Sequence, residues 1–76
     1  MPKEIELDVR SHHARGVDPF DDIMKGVKEL SDPGDTLVLI NTFEPFRLYG
    51  VMEGRGFQHE AEKMGEGHWR IVFRKL

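Results

Sequence analysis

The side chains able to do chemistry fall in two places: Arg10, His12, His13, Arg15 and Asp18 in one short stretch, and Glu44 and Arg47 around a second proline. The imidazoles of His12 and His13, joined by His59 or His68, could bind a transition metal through nitrogen. Adjacent histidines on a loop rarely converge on one ion, however, and no carboxylate or second histidine stands four residues on. Arg10, Arg15 and Arg47, if brought to two helix starts, would form a small anion site in which guanidinium forks and backbone N–H groups cooperate. The acids Asp18, Asp21, Asp22 and Glu44 count against it, because they occupy the same helix starts. Phe43, Phe46, Tyr49, Phe57, Trp69 and Phe73 could stack on a planar cofactor such as a flavin or haem, but so small a chain needs them for its core, and no phosphate-cradling glycine loop follows a strand. No Ser-His-Asp, Cys-His or paired-carboxylate arrangement can be drawn. Asp21 and Asp22 are neighbours on a helix and point in different directions.

The totals narrow the field further. The chain has 76 residues and no cysteine, which removes disulfides, thiolate metal sites, iron–sulfur ligation and persulfide chemistry. Its length is that of one domain, near the lower limit for a fold held by a hydrophobic core alone, without room for a deep active-site cavity. A net charge of −3 argues against general binding to nucleic-acid phosphates. No apolar run approaches a membrane span, and Met1-Pro2-Lys3-Glu4 lacks a signal peptide's apolar segment, so the expected location is the cytoplasm.

The elements that position these residues can be read from periodicity. Ile5, Leu7 and Val9 alternate with Glu4, Glu6, Asp8 and Arg10, the pattern of a strand with one buried face. Ser11 to Val17 has no periodic signal and contains Gly16, so it reads as a loop. Asp18 then offers an N-cap oxygen, Pro19 suits a first helical position, and Asp21 and Asp22 complement the helix dipole. A role for Asp18 as a base or an anion-repelling gate competes with this simpler capping role. Phe20, Ile23, Met24, Val27 and Leu30 form one helical stripe, interrupted by Gly26, where the helix either tolerates the cost of a glycine or packs closely on something. After the turn Ser31-Asp32-Pro33-Gly34-Asp35, the run Leu37-Val38-Leu39-Ile40 reads as an interior strand. Pro45 opens a second helix, with Phe46, Tyr49 and Met52 on its stripe and Leu48 in support, and Gly54-Arg55-Gly56 ends it. Phe57, His59 and Ala61 mark the buried side of a third strand, on which His59 would be half-buried and hydrogen-bonded. Gly65-Glu66-Gly67 makes a hairpin turn, and Trp69, Ile71 and Phe73 form the buried side of a fourth strand. On its other side Arg70 and Arg74 would pair with Glu60 and Glu62.

The order is β-α-β-α-β-β, an α/β two-layer sandwich of the α+β kind, in which a mixed four-stranded sheet carries both helices on one face. Its open face would leave Val72 and two apolar residues of the second strand uncovered, a patch suited to association with a second copy.

Leu7-Asp8-Val9-Arg10, the proline-led helix ending at Leu30, Gly34-Asp35, Glu44-Pro45-Phe46-Arg47-Leu48-Tyr49, Gly56-Phe57 and Gly67-His68-Trp69-Arg70-Ile71-Val72 together resemble the DUF2249 family. The resemblance spans nearly the whole chain. It implies a fold related to the TusA/SirA sulfur carriers, with the last strand between the second and third. In those carriers a Cys-Pro pair opens the first helix and accepts sulfur; Asp18-Pro19 stands at the matching place, and a carboxylate cannot carry a persulfide. Many family members have a histidine shortly before the proline of the second helix, where this chain has Thr42-Phe43-Glu44. The family context implied is redox, haem- or iron-handling, without a mechanism. The expectation is therefore a non-catalytic accessory or protein-interaction domain with no cofactor, presenting Arg10, His12, His13, Arg15, Asp18, Glu44 and Arg47, or the open sheet face, to a partner protein. The alternative is a small ligand-binding protein for an anion, a metal or a planar redox cofactor.

Overall fold

The apolar run Leu37-Val38-Leu39-Ile40 lies inside the sheet, because β2 (Thr36–Asn41) is flanked by β1 (Glu4–Asp8) and by β4 (His68–Lys75). The structure, a computed structural model, describes residues 2–76. β1 runs parallel to β2, while β4 is antiparallel to both β2 and β3 (Phe57–Gly65), giving the order β1-β2-β4-β3. The last strand thus lies between the second and third, the order that the family resemblance implied.

Strand alternation sorts the sheet into two faces. One carries the rungs Ile5-Leu37-Phe73-His59 and Leu7-Leu39-Ile71-Ala61. Ile23, Met24 and Val27 of α2 (Phe20–Lys28), with Leu30 just beyond it, and Leu48 and Met52 of α3 (Phe46–Gly54) close over this face and complete one core. The two-layer sandwich is therefore as expected. At Gly26 a Cβ would meet Ile5 Cγ2 and Leu37 Cδ1 at 3.9 Å each, so the helix lies on the sheet there at ordinary contact distance, with space for a methyl group.

The opposite face differs from its expected character. Val38 and Ile40 are only 2% and 9% exposed, although no helix covers them, and Val72 is half-buried. They stand in the rungs Glu6-Val38-Val72-Glu60 and Asp8-Ile40-Arg70-Glu62, and the long stems of Arg70 and Arg74 are diagonal to Val38. Val38 and Ile40 are thus not the uncovered residues that the sequence pattern predicts. Arg70 is opposite Glu62, but Arg74 is opposite Gln58, and neither arginine forms an ion pair. The expected Arg–Glu ladder is absent among the described residues.

Three further corrections follow from local bonding. β1 ends at Asp8, and Arg10–Ala14 is a short helix, α1, in the stretch expected to be a loop. Asp8 Oδ1 accepts the Arg10 N–H at 3.0 Å, and Val9 O accepts those of His12 and His13. Gly16, at φ +70, closes α1: Val17 N–H reaches His12 O and Gly16 N–H reaches His13 O, the paired bonds of a Schellman motif. The second correction is at β3, where Phe57 alone is buried, because this strand is a sheet edge; His59 is exposed rather than half-buried and hydrogen-bonded. The third concerns the helical stripes, whose leading aromatics, Phe20 and Phe46, are on the surface.

Candidate functional site

Each long helix follows a strand of the parallel pair, so the starts of α2 and α3 meet at the same end of the sheet, beside Asn41 at the end of β2. Asp18 Oδ1 accepts the Phe20 N–H at 2.9 Å, and Pro19 O accepts that of Ile23 at 3.0 Å. Asp18 thus accepts one N–H at the helix start, but the N-cap position belongs to Pro19, as it does to Pro45 in α3, and α2 begins at Phe20, one residue later than expected. At α3, Pro45 O accepts the N–H groups of Leu48 and Tyr49. Pro19 and Pro45 are both buried.

Between these helix starts is an open cleft of about 670 Å³. Pro19, Phe20 and Ile23 line one side, Phe43 to Leu48 and Val51 the other, and His13, Asp18 and Asn41 complete it. Phe46 is 71% exposed, Phe43 50% and Phe20 43%, and exposed Val51 joins them at the same opening. Apolar side chains left in water around one concavity are the unusual feature of this surface. The helical spacing predicts Phe20 and Phe46 in the core, and so small a chain is expected to need Phe43 there too. On α3 it is Leu48 and Met52 that bury instead.

Of the candidate residues, the structure brings His13, Asp18, Glu44 and Arg47 to the cleft. Arg10 is turned to Asp8, with Nη2 2.7 Å from Oδ2 and Nε 3.0 Å from Oδ1, and its guanidinium holds that carboxyl below the usual range. Arg15 donates from Nε to Ser11 O. The three arginines therefore do not converge as an anion site would require. The histidines diverge too. His12 Nε2 is 2.7 Å from Asp22 Oδ2, His13 is tilted against Phe43 with ring centres 4.9 Å apart, and His59 stacks on Tyr49 at 3.7 Å. Among the described residues no three His, Cys, Asp or Glu side chains are grouped to hold a metal ion.

The Tyr49 hydroxyl donates to Glu44 Oε2 at 3.0 Å. Burial first, and the Glu44 carboxylate second, push its phenol well above the usual value. With Phe46 edge-on to Tyr49 at 6.0 Å, an aromatic row runs from the cleft rim to the β3 edge. This row is made of a phenol bound to the Glu44 carboxylate, phenyl rings and an exposed imidazole.

A family model described as "Uncharacterized conserved protein (DUF2249)" matches residues 6–75. The chain belongs to the DUF2249 family. The match takes in every helix and strand except the first residues of β1, so the cleft of this DUF2249 chain is within the family's own extent. No curated protein matches the chain, and no solved structure does.

Proposed function

We propose that this DUF2249 domain is a non-catalytic protein-interaction module and that the cleft between the starts of α2 and α3 is its contact surface. The observation that carries this reading is the gathering of exposed Phe20, Phe43, Phe46 and Val51 around one opening. Exposed aromatics on a rigid frame are the usual anchors of an interface, since each buries a large area while immobilising few torsions. The sheet's opposite face, with Val38 and Ile40 already covered, offers less. A redox partner in the cytoplasm fits the family context.

A second reading, a site for a planar ligand such as a flavin or haem, draws on the same rings and on a cleft volume within the range of small-molecule pockets. Amide-shift titrations separate the two. A neutral phenylalanine-containing tetrapeptide should move the amides of residues 18–23 and 43–51, while flavin mononucleotide, haem, zinc and phosphate leave them in place. Saturable micromolar shifts there with flavin mononucleotide or haem would hand the cleft to the second reading.

A further inference from the structure

The ionised groups at the cleft are unequal in number. Asp18 and Glu44 line it as carboxylates, and among the described residues Arg47 is the only lysine or arginine that does. Each carboxylate has one oxygen engaged within the chain, Asp18 Oδ1 by the Phe20 N–H and Glu44 Oε2 by the Tyr49 hydroxyl. Asp18 Oδ2 and Glu44 Oε1 have no bond within the described residues. Asp21, in the first turn of α2, is exposed and enters no ion pair among the described residues. The apolar opening thus has an acidic rim with acceptor capacity to spare, on a chain whose net charge is −3.

We infer that the occupant of the cleft is a partner segment that inserts an apolar or aromatic side chain and carries lysine or arginine beside it. This rests on the cleft being the contact surface and adds the sign of the partner's charge. The apolar anchor is taken by Phe20, Phe43, Phe46 and Val51, and the flanking cation is met by Asp18 and Glu44, with phenyl faces available to it as well. Complementary charge of this kind sets partner choice and encounter rate more than the strength of the anchor. An acidic partner would bring its carboxylates against Asp18 and Glu44.

The test uses the full chain and three phenylalanine-containing peptides of equal length, flanked by lysine, by serine or by glutamate, each titrated against amide shifts. The lysine peptide should bind about tenfold more tightly than the glutamate peptide, with the ratio shrinking as salt is added. In Asp18→Asn combined with Glu44→Gln, the ratio should fall towards one while the serine peptide keeps its affinity. Asparagine keeps a side-chain oxygen for the Phe20 N–H, and glutamine still accepts from Tyr49, so this variant should retain its melting temperature. Equal or tighter binding of the glutamate peptide overturns the inferred charge and leaves the cleft as contact surface. Failure of all three peptides to move residues 18–23 and 43–51 overturns both.

Discussion

His12 of α1 and Asp22 of α2 meet at 2.7 Å, and this contact ties the short helix after β1 to the first turn of the helix that forms one cleft wall. The hydrogen bond to His12 is the main reason why the Asp22 carboxyl is held below its usual 3.8, with Lys25 and Arg15 helping at longer range. A lowered carboxylate value contributes stability that is present above 3.8 and is lost as pH falls through the folded value. Thermal melts of the wild type and Asp22→Asn should therefore differ near neutral pH and converge in acid below that point. Parallel curves over the whole acid range would remove the link between the two helices.

The single tyrosine of the chain gives a direct reading of the α3 surroundings. Because burial and Glu44 raise the Tyr49 phenol, its tyrosinate absorbance should stay silent well past the ordinary 10.0 and should come earlier in Glu44→Gln. The linked stability is present below 10.0 and is lost as pH rises towards the folded value. Tyrosinate appearing at the ordinary pH in the folded protein would mean that Tyr49 is not packed as described.

Gly26 should accept a methyl group. A Cβ there meets only Ile5 and Leu37 at 3.9 Å, and alanine is the better helix former, so Gly26→Ala should raise stability by about 0.5–1 kcal/mol in urea unfolding. A loss of stability would show that the helix lies closer to the sheet than 3.9 Å allows.

Two substitutions on α3 should separate core from rim. Met52 is fully buried, and Met52→Ala should cost about 2–5 kcal/mol by leaving a cavity under the helix. Phe46, exposed on the same helix, should change stability by less than about 0.5 kcal/mol on replacement by alanine while weakening the binding of the phenylalanine peptide. Equal destabilisation by both would place Phe46 in the core, as its spacing with Tyr49 and Met52 first suggested.

Asp35 is 1% exposed and accepts the Lys3 N–H at 2.8 Å and the Asp32 N–H at 3.1 Å, so it fastens the start of β1 to the turn before β2. The Lys3 bond is the largest cause of its lowered carboxyl value. Asp35→Ala should lower the urea midpoint more than Asp32→Ala does, because it leaves two backbone donors without their acceptor. The reverse order would show that the turn is held in some other way.

Much of this architecture is legible before any coordinates. The unbroken run in β2, the alternation in β1 and β4, and the prolines at 19 and 45 each carry a local physical signal, and the inner position of β4 followed from family likeness. α1 escaped because five residues are too few to show a stripe, although Gly16 as a helix stop and Asp8 as an acceptor were in view. The cleft escaped for a different reason. Periodicity says that Phe20 and Phe46 share a side with buried residues, but not how far along each helix the core extends. For the same reason His59, two residues along an edge strand from buried Phe57, was placed inside.

The inner place of β4 has a consequence for how the molecule assembles. The β2 edge that receives β4 stays unmated until residues 68–75 arrive, and so does β3, although β1, α2 and β2 precede them in the chain. Ile71 and Phe73, which fill the middle of the core, come from this same final segment. A shortened chain ending before β4 would thus hold two fragments with raw edges around an interior lacking its middle, and acquisition of structure should be a single late event governed by distant contacts.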